Sequence, residues 1–293
     1  MILDAHLHLW DPAHRHHDWL AEHPPLQRRF GPEDLDVGRH DVVGAVVVQA
    51  NCRDEEALDE VRWIAGLAGE HPLIRGIVAY APVHRGLDAG AELDAVAAEP
   101  LVVGIRRLLQ DEPPDLLSAP ELLVGIRRVG AGGLPFDLCV THDQLRAIAD
   151  VIAACPDVSF VLDHIGKPPI RAGALDPWRD DVSRIAARPN VMCKLSGLTT
   201  EAGPDWDLAG LRPYLDHALD VFGPGRCLLG SDWPVITLTA TVESWFDVVM
   251  SALDRCNDSE RAAVLSGNAS AIYRIPLPGE PTRRTHAGSD LYR

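Results

Sequence analysis

The residues of this chain whose types and spacing could do chemistry begin at its sixth position. A short apolar run that opens at Ile2 ends in His6-Leu-His8. In a β-strand, residues two apart lie on the same face, so both imidazoles would point the same way from the end of one strand. Two imidazoles at this spacing can bind a metal ion or polarise a carbonyl oxygen, provided that later segments supply partners.

Later apolar runs also end in ionisable residues. His164 follows the run that ends at Asp163, and Asp232 follows the run that ends at Leu229. With His6 and His8 they would surround one cavity with three imidazoles and a carboxylate, which could act on a substrate directly or hold a single metal ion. We expect the remaining candidates to contact the substrate. These are Arg106, Lys167 and Lys194, with Trp10, Trp19 and Trp233 as apolar walls.

Each candidate also has a structural interpretation. A histidine at a strand end can be a structural residue whose hydrogen bonds are satisfied within the core. Ser-Asp before Trp-Pro is also typical of a turn. Lys194 could pair with a buried acid, and only one of Arg106 and Arg107 can face the interior of a barrel. His142 has a weaker claim, because Thr141-His-Asp resembles a helix N-terminus.

These residues need a scaffold that brings several strand ends together. Besides the opening strand, apolar runs predict strands over 44–49, 74–80, 101–108, 135–140, 158–163, 191–195 and 227–230. Helical segments, such as 54–69 and 89–98, separate them. Continuous apolar runs are typical of parallel strands that are covered by helices. Eight such units predict a (β/α)8 TIM barrel, in which functional residues gather at the C-terminal strand ends.

One pentapeptide, Val-Gly-Ile-Arg-Arg, occurs at 103–107 and again at 124–128. The first copy follows Pro100 and precedes a loop rich in Asp and Pro, so we predict a strand. The second copy follows Ser118-Ala-Pro-Glu, which is a favourable helix start, so we predict a helix.

The chain reads as one barrel domain over 1–275, followed by a polar extension over 276–293. The last helix of the barrel is predicted over 259–272. A long polar loop between Trp10 and His40 is expected to fold down onto the barrel.

The composition excludes several classes of protein. The chain has 27 positive and 43 negative residues, a net charge of −16, which argues against a nucleic acid or an anionic membrane as partner. No stretch approaches the ~18 apolar residues of a membrane helix, and the first strand starts too early for a signal peptide, so we expect a cytoplasmic protein. The six cysteines show no CxxC spacing, and we expect no disulfides. A small molecule is the expected partner, and a homodimer remains open.

At this point the chain resembles the amidohydrolase superfamily, in the branch of sugar lactonases and pyrone-dicarboxylate lactonases. The motifs that carry the resemblance are His6-Leu-His-Leu-Trp-Asp-Pro12, Asp163-His-Ile-Gly-Lys-Pro168, Cys193-Lys-Leu-Ser-Gly197, Gly230-Ser-Asp-Trp-Pro234 and Gly267-Asn-Ala269. The resemblance implies a distorted (β/α)8 barrel of amidohydrolase type. Where binuclear members carry a bridging Lys or Glu on strand four, this chain has Arg106, which implies at most one metal ion.

The resemblance implies hydrolysis of a small lactone, most simply a sugar-acid lactone, with Asp232 as general base. His6, His8 and His164 would polarise the carbonyl, either directly or by holding one Zn²⁺, so the enzyme could also work without metal. One alternative is a Zn²⁺-dependent decarboxylase of the same superfamily that acts on an aromatic or unsaturated acid. Another is a barrel that binds sugars without catalysis.

Overall fold

The computed structural model describes residues 1–110 and 112–279. Its centre is one sheet of eight parallel strands whose spatial order equals their order in the chain. The strands are β1 (Ile2–Leu7), β2 (Val42–Val48), β3 (Ile74–Ala79), β4 (Val102–Leu108), β5 (Phe136–Cys139), β6 (Phe160–Leu162), β7 (Val191–Leu195) and β8 (Cys227–Leu229). All eight predicted strands are confirmed, with ends that shift by a few residues.

The sheet closes between its first and last strands. The backbone N–H of Asp232 donates to the carbonyl of His6 at 2.8 Å, and the N–H of His8 donates to the carbonyl of Trp233 at 2.6 Å. The predicted (β/α)8 barrel is therefore confirmed, and its closing seam brings two of the candidate motifs side by side.

Eleven α-helices lie in the described residues. They are α1 (Ala57–Ala68), α2 (Gly90–Ala97), α3 (Pro114–Leu117), α4 (Pro120–Ala131), α5 (Leu145–Ala154), α6 (Trp178–Ala186), α7 (Leu198–Ala202), α8 (Leu208–Phe222), α9 (Val242–Ala252), α10 (Asp258–Ala262) and α11 (Asn268–Tyr273). The repeated pentapeptide lies in β4 and then in α4, as its two contexts predicted. None of these helices is long and apolar enough to cross a membrane.

The helix predicted over 259–272 is confirmed, with one irregularity inside it. It is divided into α10, a π-helical turn over 263–267, and α11. At the start of α11, the side-chain amide of Asn268 donates to the carbonyls of Pro224 and Cys227 at 2.8 and 2.7 Å. These bonds tie α11 to β8 and fix its direction, which local helical spacing does not encode. Most of the predicted extension, 280–293, lies outside the described residues.

Two apolar clusters hold the fold. The larger lies between the barrel and its helices. The smaller contains Leu3, Val46, Val78, Val161 and Leu228 from the strands, with Ala269 and Tyr273 from α11. Because these strand residues alternate with residues of the larger cluster, the smaller cluster fills the barrel interior. The barrel interior is therefore packed with apolar side chains, and the polar candidate residues lie beyond this layer, at the C-terminal ends of the strands.

Candidate active site

The opening pair of histidines owes its orientation to an irregularity in β1. Asp4 pairs with Ala45 of β2 and Leu7 pairs with Val47, so three steps along β1 match two along β2. Such a β-bulge changes which face the following side chains occupy. The carboxylate of Asp4 accepts hydrogen bonds from the backbone N–H groups of His6 and Ser231, at 3.0 and 2.9 Å. The bulge turns His6 and His8 into the barrel beyond the apolar layer.

The two imidazoles and Asp232 meet at one point. The Nε2 atoms of His6 and His8 lie 3.1 Å apart, and Asp232 Oδ1 lies 3.7 and 3.5 Å from them. All three side chains are buried. His8 Nδ1 lies 2.8 Å from the carbonyl of Val48, which can only accept a hydrogen bond. Nδ1 of His8 therefore carries a proton, and Nε2 is the nitrogen that faces Asp232.

Burial and charge set the protonation of this group. Burial lowers the pKa of His6, and the charge of Lys194 lowers it further. Burial alone would raise the pKa of Asp232, but the His164, His8 and His6 imidazoles outweigh it and lower the pKa below its ordinary value. At neutral pH Asp232 is therefore ionised and His6 is neutral, which are the forms that accept a proton or bind a cation.

His164 approaches from the other side of His6. Their ring centroids lie 4.6 Å apart, and His164 Nδ1 lies 2.9 Å from Ser196 Oγ. Burial lowers the pKa of His164 to about 4, so it is neutral near pH 7. Both His164 and Asp232 have positive φ angles, 54° and 59°, which non-glycine residues rarely adopt. Such backbone strain tends to persist at functional sites.

Close packing against Gly197 restricts the position of the His164 imidazole. A Cβ atom added at Gly197, whose φ is +71°, would lie 2.6 Å from His164 Nδ1. Gly197 lies two residues after the end of β7, and its lack of a side chain lets the chain pass close to the imidazole.

A buried ion network lies behind the imidazoles. Lys194 Nζ is 2.6 Å from Asp137 Oδ2 and 3.0 Å from Asp163 Oδ1. Arg106 donates to Asp163 at 3.1 Å, and the hydroxyl of Tyr273 donates to Asp137 at 2.8 Å. Burial raises the pKa of Asp137 to about 6 in spite of Lys194, whereas Lys194 and its neighbours outweigh burial at Asp163 and lower its pKa.

This network holds His6 in place from behind. Asp163 Oδ1 and Lys194 Nζ lie 3.3 and 3.2 Å from His6 Nδ1. Partners on the rear nitrogen of an imidazole fix the orientation of its ring.

Two predicted substrate contacts need correction. Lys194 has no exposed surface and pairs with Asp137 and Asp163, so the structural alternative was right and it supports His6 instead. Trp10 is also fully buried, and its indole N–H donates to the carbonyls of Leu26 and Arg28 at 3.2 and 2.9 Å. It therefore anchors the loop over 11–40, which does fold down onto the barrel.

The other predicted contacts lie near the site to different degrees. Of the two arginines of β4, Arg106 faces the interior, but Asp163 and the carbonyl of Gln49 already occupy its guanidinium. Trp233 is almost covered and packs edge to face on Phe30. Lys167 is partly exposed at the barrel mouth.

The prediction for Trp19 and the weaker claim of His142 have structural explanations. Trp19 donates from its indole N–H to the carbonyl of Ala50 at 2.9 Å, and it packs against Trp10. His142 opens a turn with a capping box between Thr141 and Gln144, so Thr141-His-Asp is a helix start. In the described part of the chain, His142 belongs to none of the groups that could hold a metal ion.

Sequence reasoning missed Asp163, Asp137, Ser196 and Tyr273. Asp163 could have been found from the sequence, because it directly precedes His164 at the end of a strand. The pairing of Lys194 with an acid was anticipated, but not which acid, since Asp137 lies 57 residues away.

The residues present fit one divalent metal ion. In tetrahedral Zn²⁺ sites with bonds of 2.0–2.1 Å, ligand atoms lie about 3.3–3.4 Å apart, close to the 3.1, 3.5 and 3.7 Å among His6, His8 and Asp232. His164 does not join this set within 4.8 Å among the described residues; it forms a second candidate group with His6 and Asp163. The predicted set of four ligands is therefore divided into two groups that share His6.

The six cysteines, all in the described residues, are free, as expected. Cys139, Cys155, Cys193 and Cys227 are buried, so most of these thiols act as small apolar groups in the core.

The chain matches known proteins along nearly its whole length. The family model described as amidohydrolase matches residues 3–275. An L-fucono-1,5-lactonase from Burkholderia ambifaria is 36% identical over 288 residues, which cover 94% of this chain and 96% of that protein. An L-rhamnono-gamma-lactonase from Scheffersomyces stipitis is 25% identical over an alignment that covers 94% of this chain and 98% of that protein. A crystal structure of an amidohydrolase from Burkholderia multivorans with bound zinc superposes with a TM-score of 0.82 at 30% identity, covering 94% of this chain and all of that one. The chain therefore belongs to the amidohydrolase family.

Proposed function

We propose that this protein hydrolyses a small sugar-acid lactone to the corresponding hydroxy acid. The observation that carries the proposal is the meeting of His6 Nε2, His8 Nε2 and Asp232 Oδ1 within 3.7 Å at the barrel mouth. Relatives along almost the whole chain include proteins named for L-fuconolactone and L-rhamnonolactone hydrolysis.

Asp232 serves as the general base. Its carboxylate takes a proton from a water molecule while the water oxygen attacks the lactone carbonyl carbon. The tetrahedral intermediate collapses, the bond between that carbon and the ring oxygen breaks, and Asp232 returns the proton to the ring oxygen. The product is a hydroxy acid, whose carboxyl group then loses a proton to solvent.

His164 stabilises the negative charge that develops on the carbonyl oxygen. If Ser196 Oγ donates to Nδ1 of the neutral imidazole, the ring proton is on Nε2, which is then a donor for that oxygen. A preorganised donor of this kind contributes about 10²–10³ in turnover. Ser196 and Gly197 therefore act as positioning residues for His164.

The low pKa of Asp232 makes it a weak base, so the attacking water needs activation. A divalent cation such as Zn²⁺, held by His6, His8 and Asp232, would lower the pKa of water and polarise the carbonyl. Zinc in the related Burkholderia multivorans structure supports this choice of metal. The His164 imidazole can also donate to the oxyanion without a metal ion, so lactone hydrolysis is measured both with and without Zn²⁺.

The alternative of a Zn²⁺-dependent decarboxylase has less support. Both relatives named above are named for lactone hydrolysis, and the guanidinium of Arg106, which could otherwise bind the carboxylate of an acid substrate, is paired with Asp163.

The direct test is a screen of five- and six-membered sugar lactones with a pH indicator. We expect at least one lactone to release one proton per molecule, well above the rate in the same buffer without protein. Each substrate is measured after chelation and after addition of Zn²⁺. A panel in which no lactone reacts faster than its spontaneous rate under either condition would exclude the proposal.

A further inference from the structure

The three cations already described, Arg106, Lys194 and Lys167, each lie near a carboxylate. Arg106 and Lys194 lie inside the barrel against Asp163 and Asp137. Lys167 lies higher, where it donates to the side chain of Gln110 and lies 3.9 Å from Glu201 Oε1. Among these three, only Lys167 is exposed enough to meet a substrate, at 20% of its side chain.

Glu201 lies beside Lys167 at the C-terminal end of the barrel. It belongs to α7, which starts three residues after the end of β7, and 29% of its side chain is exposed. Burial raises the pKa of Glu201, and the charge of Asp232 raises it further, while Lys167 opposes the shift. The pKa of Lys167 is raised in turn: burial would lower it, but Cys139, Glu201 and Asp232 outweigh burial. The three residues also follow neighbouring strands at the same end of the barrel, because Lys167 follows β6, Glu201 follows β7 and Asp232 follows β8.

We propose that Lys167 and Glu201 form the hydroxyl-binding half of the pocket, and that Glu201 excludes lactones that carry a free carboxylate. The ammonium group donates a hydrogen bond and the carboxylate accepts one, which matches two neighbouring hydroxyls of a polyol. A substrate carboxylate at the same place would face Glu201 and Asp232, and such like-charge contacts cost several kcal/mol. This inference deepens the proposed function by naming a neutral polyhydroxy lactone as the substrate class.

The test uses hydrolysis-resistant probes, so that it does not depend on turnover. The probes are the lactam of a neutral aldonic acid and the matching lactam that carries a free carboxylate at its far end. Calorimetry gives the dissociation constant of each with the wild type, with Glu201→Gln, and with Glu99→Gln. Glu99 pairs with Arg62 at 3.0 Å at a comparable exposure of 22%, but outside the pocket, so it is the matched control.

We expect the wild type to prefer the neutral lactam by at least about tenfold, or about 1.4 kcal/mol. Glu201→Gln should reduce this preference by about tenfold, since it leaves Lys167 free to bind a carboxylate, whereas Glu99→Gln should not change it. If the preference in Glu201→Gln stays equal to that of the wild type, or if the wild type binds neither lactam, the inference is overturned. Binding of the neutral lactam without hydrolysis of any lactone would support this pocket and refute the proposed function.

The lysine content offers a second readout. The chain has only two lysines, Lys167 and Lys194, and the second has no exposed surface. Peptide mapping after an amine-selective reagent should therefore find modification at Lys167 and the N-terminus. The neutral lactam should slow modification of Lys167 without affecting the N-terminus, and equal rates with and without the lactam would overturn its assignment to the pocket.

Discussion

Replacing Lys194 with methionine tests whether the buried network stabilises the barrel as well as His6. The substitution keeps most of the side-chain volume and removes the charge. Asp137 and Asp163, at 2.6 and 3.0 Å from Nζ, lose their shared cation within a layer that has no exposed surface. Arg106 still compensates Asp163, so Asp137 becomes the least compensated group.

Removing one partner of a buried ion pair destabilises a protein by about 3–5 kcal/mol. For a large domain, 1 kcal/mol shifts the melting temperature by about 2–4 °C, so we expect Lys194→Met to lower Tm by about 6–20 °C at pH 8. The pKa of Asp137 is already raised to about 6, and loss of Lys194 raises it further. A raised carboxyl pKa means that stability falls as pH rises through it. The Tm of the variant should therefore fall less, relative to the wild type, at pH 5, where Asp137 is protonated.

Thermal unfolding, followed by circular dichroism at pH 5 and pH 8, measures both effects. Lys167→Met is the matched control, because it is the same change at the other lysine, whose pair with Glu201 is partly exposed at 3.9 Å. Such a pair contributes less than about 1 kcal/mol. Equal Tm losses for the two variants, or a Lys194→Met loss that does not depend on pH, would refute the reasoning about the network.

Three further predictions concern single residues. Gly197→Ala places a Cβ 2.6 Å from His164 Nδ1 at a φ of +71°, so it should reduce lactone turnover by at least about tenfold; a wild-type rate would contradict the role of His164. Asp163→Asn should weaken zinc binding, measured by equilibrium dialysis, by about 10–100-fold, because it removes the carboxylate behind His6; an unchanged affinity would argue against this metal set. Burial lowers the pKa of His17 to about 4, so its stabilisation is lost as pH falls from 6.5 through 4. The Tm of the wild type should therefore fall more steeply over that range than the Tm of His17→Gln, and parallel curves would contradict the burial effect.

The strand pattern was sufficient to predict the barrel, because parallel strands covered on both faces read as continuous apolar runs. Context also separated the two copies of Val-Gly-Ile-Arg-Arg. The π-turn that divides the last helix could not be predicted from local helical spacing. The bonds that tie α11 to the barrel run from Asn268 to Pro224 and Cys227, more than 40 residues earlier.

The meeting of His6, His8 and Asp232 followed from their places at strand ends. Two features did not follow. The bulge at Asp4 depends on the register between β1 and β2, and a one-residue slip would turn the imidazoles away. The partners of Lys194 lie in β5 and after β6, and sequence alone gives no measure of which acid reaches which cation. Trp10 was misassigned because an aromatic side chain in a loop can either line a pocket or anchor the loop.

The measurement that tests the central claim most directly is lactone hydrolysis by Asp232→Asn. The amide retains the shape of the carboxylate but cannot accept the proton of water, so turnover should fall by about 10²–10⁴. Circular dichroism and Tm establish that the variant is folded, and Asp150→Asn on the exposed face of α5 serves as the control with an unchanged rate. If folded Asp232→Asn hydrolyses the lactone at the wild-type rate, Asp232 is not the base and the proposed mechanism is wrong.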